Sequence, residues 1–220
     1  MKKVICIVVA LKKEAEKFIE KANLKENGYL AGKKIFYGNI NGCDIVLALS
    51  GIGKVSASFT TQTLIDKYQP QAIINFGSVG GINNVSPKKY YLVNKCCQYD
   101  FDLSDLDNVS VGYIQDYDRV FFNTKTDNID FLEKVALATS DRFTCKQHDI
   151  DTIKKLGCSI FDMEGCAIAQ VCTSNNTPLY IIKGVTDVFG SGANSEQFLE
   201  NLKAVGDGFA DVIPKLIEKI

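Results

Sequence analysis

The sequence lacks several features that would place it in a common functional class. It has no tryptophan, four prolines and a single histidine among 220 residues, and its net charge is −1. Lysines are spread along the chain, so no basic stripe indicates nucleic-acid binding. No apolar run approaches the roughly 20 residues of a membrane span. Only about seven apolar residues follow Met1-Lys-Lys, which is too few for a signal peptide. We therefore expect a cytoplasmic protein without nucleic-acid or membrane partners.

The scarcity of histidine also limits the possible chemistry. His148 lies in a polar segment, where a surface or capping role is expected, and one histidine excludes most zinc sites and all but one possible Ser-His-Asp triad. The eight cysteines are scattered, and Cys96 and Cys97 are adjacent rather than spaced as in a redox motif. Several cysteines lie in predicted strands, where the side chain packs as a small apolar group. This pattern favours a reduced, cytoplasmic protein.

Two glycine-rich segments resemble known signatures but do not complete them. Residues 50–54 read Ser-Gly-Ile-Gly-Lys, yet Ala48 and Val55 replace the glycine and the hydroxyl residue that a phosphate loop requires. Ser56 replaces the third glycine of a dinucleotide fingerprint. Residues 77–80 lack the first glycine of a nucleophile elbow. Nucleotide phosphate loops and serine hydrolases are therefore disfavoured.

Strand-like and helix-like segments alternate along the chain, which predicts an α/β fold with a mostly parallel sheet flanked by helices. Strands are predicted at Val4–Val9, Lys34–Tyr37, Asp44–Ala48, Ala72–Phe76, residues 89–99, Glu133–Thr139, Ser159–Phe161 and Leu179–Val185, and helices at residues 11–22, Lys54–Tyr68, His148–Leu156, Glu164–Thr173 and Ser195–Ile220. Residues 100–130 are predicted to form loops with short strands. Since no linker or repeat is visible, one domain is predicted over residues 1–220.

Three acidic residues follow predicted strands: Glu14, Glu164 and Asp187. In an open α/β sheet, ligands bind outside the carboxyl ends of the strands, so these acids can meet in one cleft. Paired carboxyl groups can cleave a glycosidic bond, because one protonates the leaving group while another activates water. The alternatives are a solvated first helical turn for Glu14 and Glu164, and a simple turn or cap for Asp187.

Six motifs in one order carry a family resemblance. They are Ala10-Leu-Lys-Lys-Glu14, Ser50-Gly-Ile-Gly-Lys54, Asn75-Phe-Gly-Ser-Val-Gly-Gly81, Ser140-Asp-Arg-Phe143, Asp162-Met-Glu-Gly165 and Thr186-Asp187. Together they resemble the nucleoside phosphorylase/nucleosidase superfamily, and they are most similar to the methylthioadenosine/S-adenosylhomocysteine nucleosidases. The resemblance implies a single-domain three-layer sandwich and hydrolysis of the N-glycosidic bond of a purine nucleoside, without a cofactor or metal.

The resemblance also implies roles for individual residues. Asp187 would protonate adenine N7, Glu14 would activate the attacking water, and Glu164 would accept a ribose hydroxyl. The remaining predicted binding residues are Ser78 on a glycine-rich turn, Met163 beneath the sugar, Phe143 and the backbone of Thr144 at the purine, and Leu11 and Ile52 beside the alkylthio group. Lys183 stands where nucleosidases often carry an arginine, which implies some affinity for an anion. The alternatives remain open: Phe143 as a core residue and Ser78 as a small turn residue.

Water is predicted as the nucleophile, because phosphorylases of this superfamily hold phosphate with arginines. The chain has only Arg119 and Arg142, and neither precedes the Gly77-Ser78 segment. A phosphate-dependent phosphorylase and a non-catalytic nucleoside-binding protein remain as alternatives.

Three departures from the family concern the 5′ substituent of the nucleoside, and one of them is a shorter region between Tyr113 and Glu133. Val111 replaces the phenylalanine of a segment that reaches across a dimer in these nucleosidases, and the loop at residues 190–195 lacks an aromatic residue. The resemblance implies a homodimer, for which Phe59, Leu64 and Ile65 are either contacts or core residues.

Overall fold

The computed structural model describes residues 3–143, 146–191 and 195–220. Its strands are β1 (Val4–Val9), β2 (Lys25–Leu30), β3 (Lys33–Ile40), β4 (Cys43–Leu49), β5 (Ala72–Gly81), β6 (Tyr90–Gln98), β7 (Phe122–Asn123), β8 (Glu133–Thr139), β9 (Ile160–Asp162) and β10 (Leu179–Val188). The helices are α1 (Lys12–Lys21), α2 (Lys54–Tyr68), α3 (Ser104–Asp107), α4 (Gln147–Lys155), α5 (Gly165–Ser174) and α6 (Ser195–Ile217), with a 3₁₀ turn at Gln115–Tyr117. None of these described helices combines the length and apolar content needed to cross a membrane.

All described strands belong to one mixed sheet. The order β2-β3-β4-β1-β5 forms an open half, and β5 then pairs with both β9 and β10. Since β10, β6, β8 and β9 follow one another in hydrogen-bonded order, the second half closes into a five-stranded, barrel-like ring. The predicted mixed α/β fold is confirmed, whereas a flat three-layer sandwich does not describe the closed half. The sheet is mixed, since β2–β3, β3–β4, β5–β9, β6–β7 and β6–β10 pair antiparallel, while β1–β4, β1–β5, β5–β10, β6–β8 and β8–β9 pair parallel. The single domain over residues 1–220 stays a prediction, supported by this continuous sheet.

The central strand β1 is buried on both faces, as expected for a strand between two parallel neighbours. Ile5, Ile7 and Val9 pack in the cluster that contains apolar residues of α1 and α6. Cys6 and Val8 point to the other face and pack in the cluster with α2 and α5. The continuous apolar run Val4–Val9 therefore predicts a double-sided strand correctly, because period-2 alternation sends every side chain into one of two cores.

Three differences from the predicted strands change the sheet edge or the placement of site residues. The edge strand β2 was missed because it is polar and almost fully exposed, which leaves no hydrophobic alternation. Strand β5 continues through its glycines to Gly81, so that Ser78 lies in a strand rather than on a turn. Strand β10 continues to Val188, so that Asp187 lies within the strand rather than after it. In both extended strands, pairing between β5 and β10 overrides the local preference for a turn.

Candidate active site

A cavity of about 410 Å³ lies where β1, β5, β9 and β10 end or approach their ends. It is lined by Ala10, Leu11, Lys13, Glu14, Ile52, Ser78, Val79, Gly80, Arg142, Phe143, Phe161, Asp162, Met163, Glu164, Thr186, Asp187, Phe189, Phe198 and Leu202. The three acids expected to converge, Glu14, Glu164 and Asp187, all line this one cavity.

Glu14 is held by hydrogen bonds from two elements. At the start of α1, its Oε2 accepts a hydrogen bond from the Leu11 backbone N–H at 3.1 Å. Its Oε1 accepts from the backbone N–H and the hydroxyl of Ser78, at 2.8 and 2.5 Å. A Cβ at position 77 would lie 3.3 Å from Oε1, so the glycine lets the carboxylate approach β5. With 5% exposure, Glu14 is not a solvated acid of the first helical turn.

Glu164 caps α5 and is only 8% exposed. Its Oε1 accepts a hydrogen bond from the Gly53 backbone N–H at 2.9 Å. Burial and the negative charge of Asp162 raise the pKa of Glu164 to about 7, with a smaller contribution from Glu14, although Lys183 and the Gly53 N–H act in the opposite direction. The solvated first-turn alternative is therefore also wrong for Glu164.

The glycine turn that resembles a phosphate loop holds carboxylates of this chain instead. While the Gly53 N–H donates to Glu164, the Lys54 N–H donates to Asp141 Oδ1 at 2.7 Å. Gly53 has φ of 97°, in the left-handed region, and a Cβ there would meet Asp141 Oδ1 at 3.1 Å. The Lys54 ammonium also pairs with Asp100 Oδ1 at 2.8 Å. The positive end of α2 thus anchors the cavity wall through its free backbone N–H groups.

Asp162 and Lys183 form a buried ion pair behind the cavity. The Lys183 Nζ lies 2.8 Å from Asp162 Oδ2, and both side chains are 2% exposed. Asp162 also accepts hydrogen bonds from the Thr139 hydroxyl at 2.6 Å and from the Gly165 N–H at 2.8 Å. Burial tends to lower the pKa of Lys183, but the charges of Asp162, Glu164 and Glu14 outweigh it and raise the pKa.

Lys183 is the one described residue of the predicted set that does not line the cavity. Its ammonium faces Asp162, so the geometry does not support direct anion binding by Lys183. Sequence reasoning missed the role of Asp162, although it lies in the Asp-Met-Glu-Gly motif, because nothing in the sequence pairs it with position 183.

Asp187 is half-buried in β10, directly after a register shift between Val185 and Asp187. Such bulges change the direction of side chains next to binding sites. Its Oδ1 accepts a hydrogen bond from the Thr186 hydroxyl at 2.6 Å, and the Thr186 carbonyl accepts one from the Asn201 amide of α6 at 2.7 Å. Asp187 is therefore a wall residue of the cavity rather than a turn residue.

The mouth of the cavity is exposed. Phe143 is 79% exposed and Ile52 is 52% exposed, so Phe143 is not a core residue. Arg142 lines the mouth and pairs with Asp149 Oδ1 at 2.6 Å. Leu11 and Met163 are half-buried in the walls. Thr144, the remaining predicted contact, lies outside the described residues.

The cavity residues that were not predicted include four large apolar ones: Phe161, Phe189, Phe198 and Leu202. Phe198 and Leu202 belong to the apolar stripe of α6, which sequence periodicity assigns to the core. The loop at 190–195 lacks an aromatic residue, but phenylalanines on both sides of it reach the cavity. Only the docking of α6 against the sheet reveals this contribution. Among the described residues, no group of three or more His, Cys, Asp or Glu side chains is arranged to hold a metal ion.

Comparisons with known proteins agree on the family. The model of the phosphorylase superfamily matches residues 4–220. A 5′-methylthioadenosine/S-adenosylhomocysteine nucleosidase from Buchnera aphidicola subsp. Schizaphis graminum is 33% identical over 230 aligned positions, which cover 98% of this chain and 97% of that protein.

Two solved structures share the fold. The nucleosidase of that name from Helicobacter pylori, solved with butyl-thio-DADMe-Immucillin-A, has a TM-score of 0.90 at 20% identity and full coverage of both chains. The futalosine hydrolase of Helicobacter pylori has a TM-score of 0.89 at 20% identity and covers 100% of this chain and 99% of that chain. At these identities the likeness establishes the architecture alone.

Proposed function

This chain belongs to the phosphorylase superfamily, as its ordered motifs predicted, and we propose that it is a purine nucleosidase. It hydrolyses the N-glycosidic bond of nucleosides of the methylthioadenosine and S-adenosylhomocysteine type, releasing adenine and a thioribose. The relative from Buchnera, which aligns over nearly its whole length, bears the name of that activity. The observation that carries the proposal is the meeting of Glu14, Glu164 and Asp187 in one cavity.

Glu14 and Ser78 form the water-activating side of the proposed site. Because Ser78 donates two hydrogen bonds to Oε1 of Glu14, the carboxylate has a fixed orientation before substrate binds. A water that donates to this carboxylate would be directed at the anomeric carbon of the sugar. Such fixed positioning lowers the barrier because little reorganisation remains for the transition state.

Asp187 is the proposed general acid on the opposite side of the scissile bond. Protonation of the purine at N7 neutralises the charge that develops on the leaving base as the C–N bond breaks. The sugar becomes oxocarbenium-like in the same step, so the water needs only modest nucleophilicity. Glu164 accepts a sugar hydroxyl, and Met163 packs beneath the ring.

The mouth and the apolar wall are proposed to bind the two ends of the substrate. Phe143 stacks on the purine, and Thr144 contacts its edge. Leu11 and Ile52 border the 5′ substituent, and the apolar wall formed by Phe161, Phe189, Phe198 and Leu202 extends that surface. An apolar wall of this kind favours an alkylthio group over a free 5′-hydroxyl, because burying an unpartnered hydroxyl is unfavourable.

Hydrolysis rather than phosphorolysis is supported by the cations around the cavity. Of the two arginines, Arg119 does not line it and donates to the Tyr117 carbonyl. Arg142 does line it, but its guanidinium is paired with Asp149. Lys183 is buried against Asp162. No arginine fork is therefore directed at the space beside Ser78 among the described residues.

We propose a homodimer on the basis of large apolar side chains that are exposed in the single chain. Val55 and Phe59 of α2 are 81% and 50% exposed, and Leu106 is 76% exposed. Leu64 and Ile65, in contrast, are buried core residues and cannot form the contact. Light scattering should give a mass of twice 24.2 kDa, and Val55→Glu should reduce it to that of one chain.

We propose that the enzyme is cytoplasmic and takes part in the recycling of methylthioadenosine. The seven described cysteines are free thiols, and all are buried. Reduced thiols of this kind are typical of a reducing compartment.

The decisive experiment is an assay of free base release. The purified protein would be incubated with methylthioadenosine, S-adenosylhomocysteine, adenosine and inosine, each with and without phosphate. We expect adenine release from the thio-substituted nucleosides at the same rate in both buffers. Strict dependence on phosphate would indicate a phosphorylase, and binding without release would indicate a nucleoside-binding protein.

A further inference from the structure

Four charged side chains are buried together beneath the sugar side of the cavity. Glu14 comes from α1, Asp162 from β9, Glu164 from the start of α5 and Lys183 from β10, and none is more than 8% exposed. Three carboxylates therefore share one ammonium group. In a medium of low effective dielectric, such an excess of negative charge is unfavourable, so one carboxyl tends to hold a proton.

The hydrogen bonds indicate which carboxyl that is. Asp162 has three partners, since Thr139, Gly165 and Lys183 all direct protons at its two oxygens. Glu14 accepts three hydrogen bonds from Leu11 and Ser78. Glu164 accepts one, from the Gly53 N–H. It is thus the least stabilised anion of the three, in agreement with its pKa of about 7.

We propose that Lys183 and Asp162 form a positioning pair that sets the charge on Glu164, and with it the strength with which Glu164 accepts a sugar hydroxyl. The assignment of the sugar rests on the proposed function; the control of charge does not. Lys183 does not line the cavity, and its ammonium points at Asp162. The lysine acts at a distance, by electrostatics, on a residue that lines the cavity.

The two members of the pair act on Glu164 with opposite sign. The Lys183 ammonium favours the Glu164 carboxylate, and the Asp162 carboxylate disfavours it. The other charged or titratable groups around the site include Glu14 of α1, Asp187 of β10, Cys166 of α5, Lys13 and Arg142 at the mouth, and Lys54 and Asp141 at the glycine turn. Burial keeps Cys166 neutral by raising its pKa. Removing one member of the pair should therefore shift the titration of Glu164 in a direction that depends on which member is removed.

The test is a titration of Glu164 by NMR in protein labelled with ¹³C at glutamate side-chain carboxyl groups, with Glu164→Gln to assign the signal. We expect a midpoint near 7 in the wild-type protein. Lys183→Met should raise the midpoint by about one unit or more, and Asp162→Asn should lower it by a similar amount. Lys183→Arg keeps the charge and should leave the midpoint within about half a unit of wild type. A purely structural role would not move the midpoint in opposite directions.

The measurement remains decisive if single variants fold poorly, because removing one member of a buried pair is costly. The double variant Lys183→Met/Asp162→Asn removes both charges and should return the midpoint toward that of wild type. A wild-type midpoint near the ordinary glutamate value of about 4.3 would overturn the proposal, as would shifts of the same sign in the two single variants. These titrations need no turnover. If no base is released in the assay, the nucleosidase function is rejected but the positioning pair is not. If the titrations fail, the positioning pair is rejected but the nucleosidase function is not.

Discussion

The floor of the cavity, formed by Glu14, Asp162 and Glu164, and its mouth, formed by Ile52, Arg142 and Phe143, are built in opposite ways. The floor residues are 5–8% exposed, whereas Ile52 and Phe143 are 52% and 79% exposed. Every floor carboxylate accepts at least one backbone N–H. The difference shows that the charged groups of the floor are fixed by backbone hydrogen bonds, while the mouth is formed by exposed side chains outside the helices and strands.

The largest expected effect comes from removing the proposed acid. Asp187→Asn keeps the size of the side chain but cannot donate a carboxylic proton, so turnover should fall by a factor of about 10² or more. Substrate binding, measured by calorimetry, should change little. The control is Asp207→Asn, the same chemical change on an exposed position of α6, which should leave turnover unchanged. Full activity of Asp187→Asn would show that Asp187 is not the general acid.

Because the floor is buried, ionising Glu164 should destabilise the folded protein, and the stability should therefore depend on pH. Glu164 has a pKa raised from 4.5 to about 7, so its contribution to stability is complete below pH 4.5 and is lost as the pH rises through 7. Glu164→Gln cannot ionise and avoids this loss, which is at most about 3 kcal/mol. We expect the melting temperatures of variant and wild type to diverge by several degrees between pH 5 and pH 8, with the variant higher at pH 8. A constant difference across this range would contradict burial of the charge.

The link between β5 and the floor can be tested by Ser78→Ala. The change removes the hydroxyl donor to Glu14 Oε1 but keeps the backbone donor. A hydrogen bond to a charged group contributes about 1.5–3 kcal/mol, so turnover should fall by roughly tenfold or more with little change in KM. Ser86→Ala, at an exposed position, serves as the matched control. An unchanged kcat would mean that the hydroxyl only fills space.

The mouth should give the smallest effect, and on a different parameter. Phe143→Ala removes the proposed stacking surface, which contributes about 1–3 kcal/mol per base in other systems. KM should rise by about tenfold while kcat remains close to wild type. Tyr29→Ala, which removes an exposed aromatic ring from the edge strand β2, should change neither. A large loss of kcat in Phe143→Ala would mean that the mouth affects the chemical step as well as substrate binding.

Much of the fold could be predicted because its elements have strong local patterns. Helix α2 begins and ends at the predicted residues Lys54 and Tyr68, since glycine marks its start and its C-terminal end is followed by Pro70. The double-sided strand β1 was equally clear. The polar strand β2 and the closure of β5 with β10 were not predictable, because each depends on a partner strand distant in sequence.

The site was predictable only as far as each residue carries its own signal. The acids at positions 14, 164 and 187 stood out because they follow apolar runs. Phe198 did not, because a phenylalanine on an amphipathic helix has the same pattern whether it faces a core or a cavity. Lys183 was assigned to anion binding by its resemblance to an arginine position, and its burial against Asp162 could not be predicted because it depends on how β9 and β10 lie within the closed ring.

The sequence by itself determined most of the segments that become strands and helices and which acids lie near the ends of strands, because hydrophobic periodicity and helix-end residues act over a few neighbours. Only the tertiary structure decided which of those acids are buried, which of them share their surroundings with a lysine, and which phenylalanines reach the cavity. Burial and electrostatic coupling depend on distances between residues far apart in the chain, and those distances exist only once the sheet has closed.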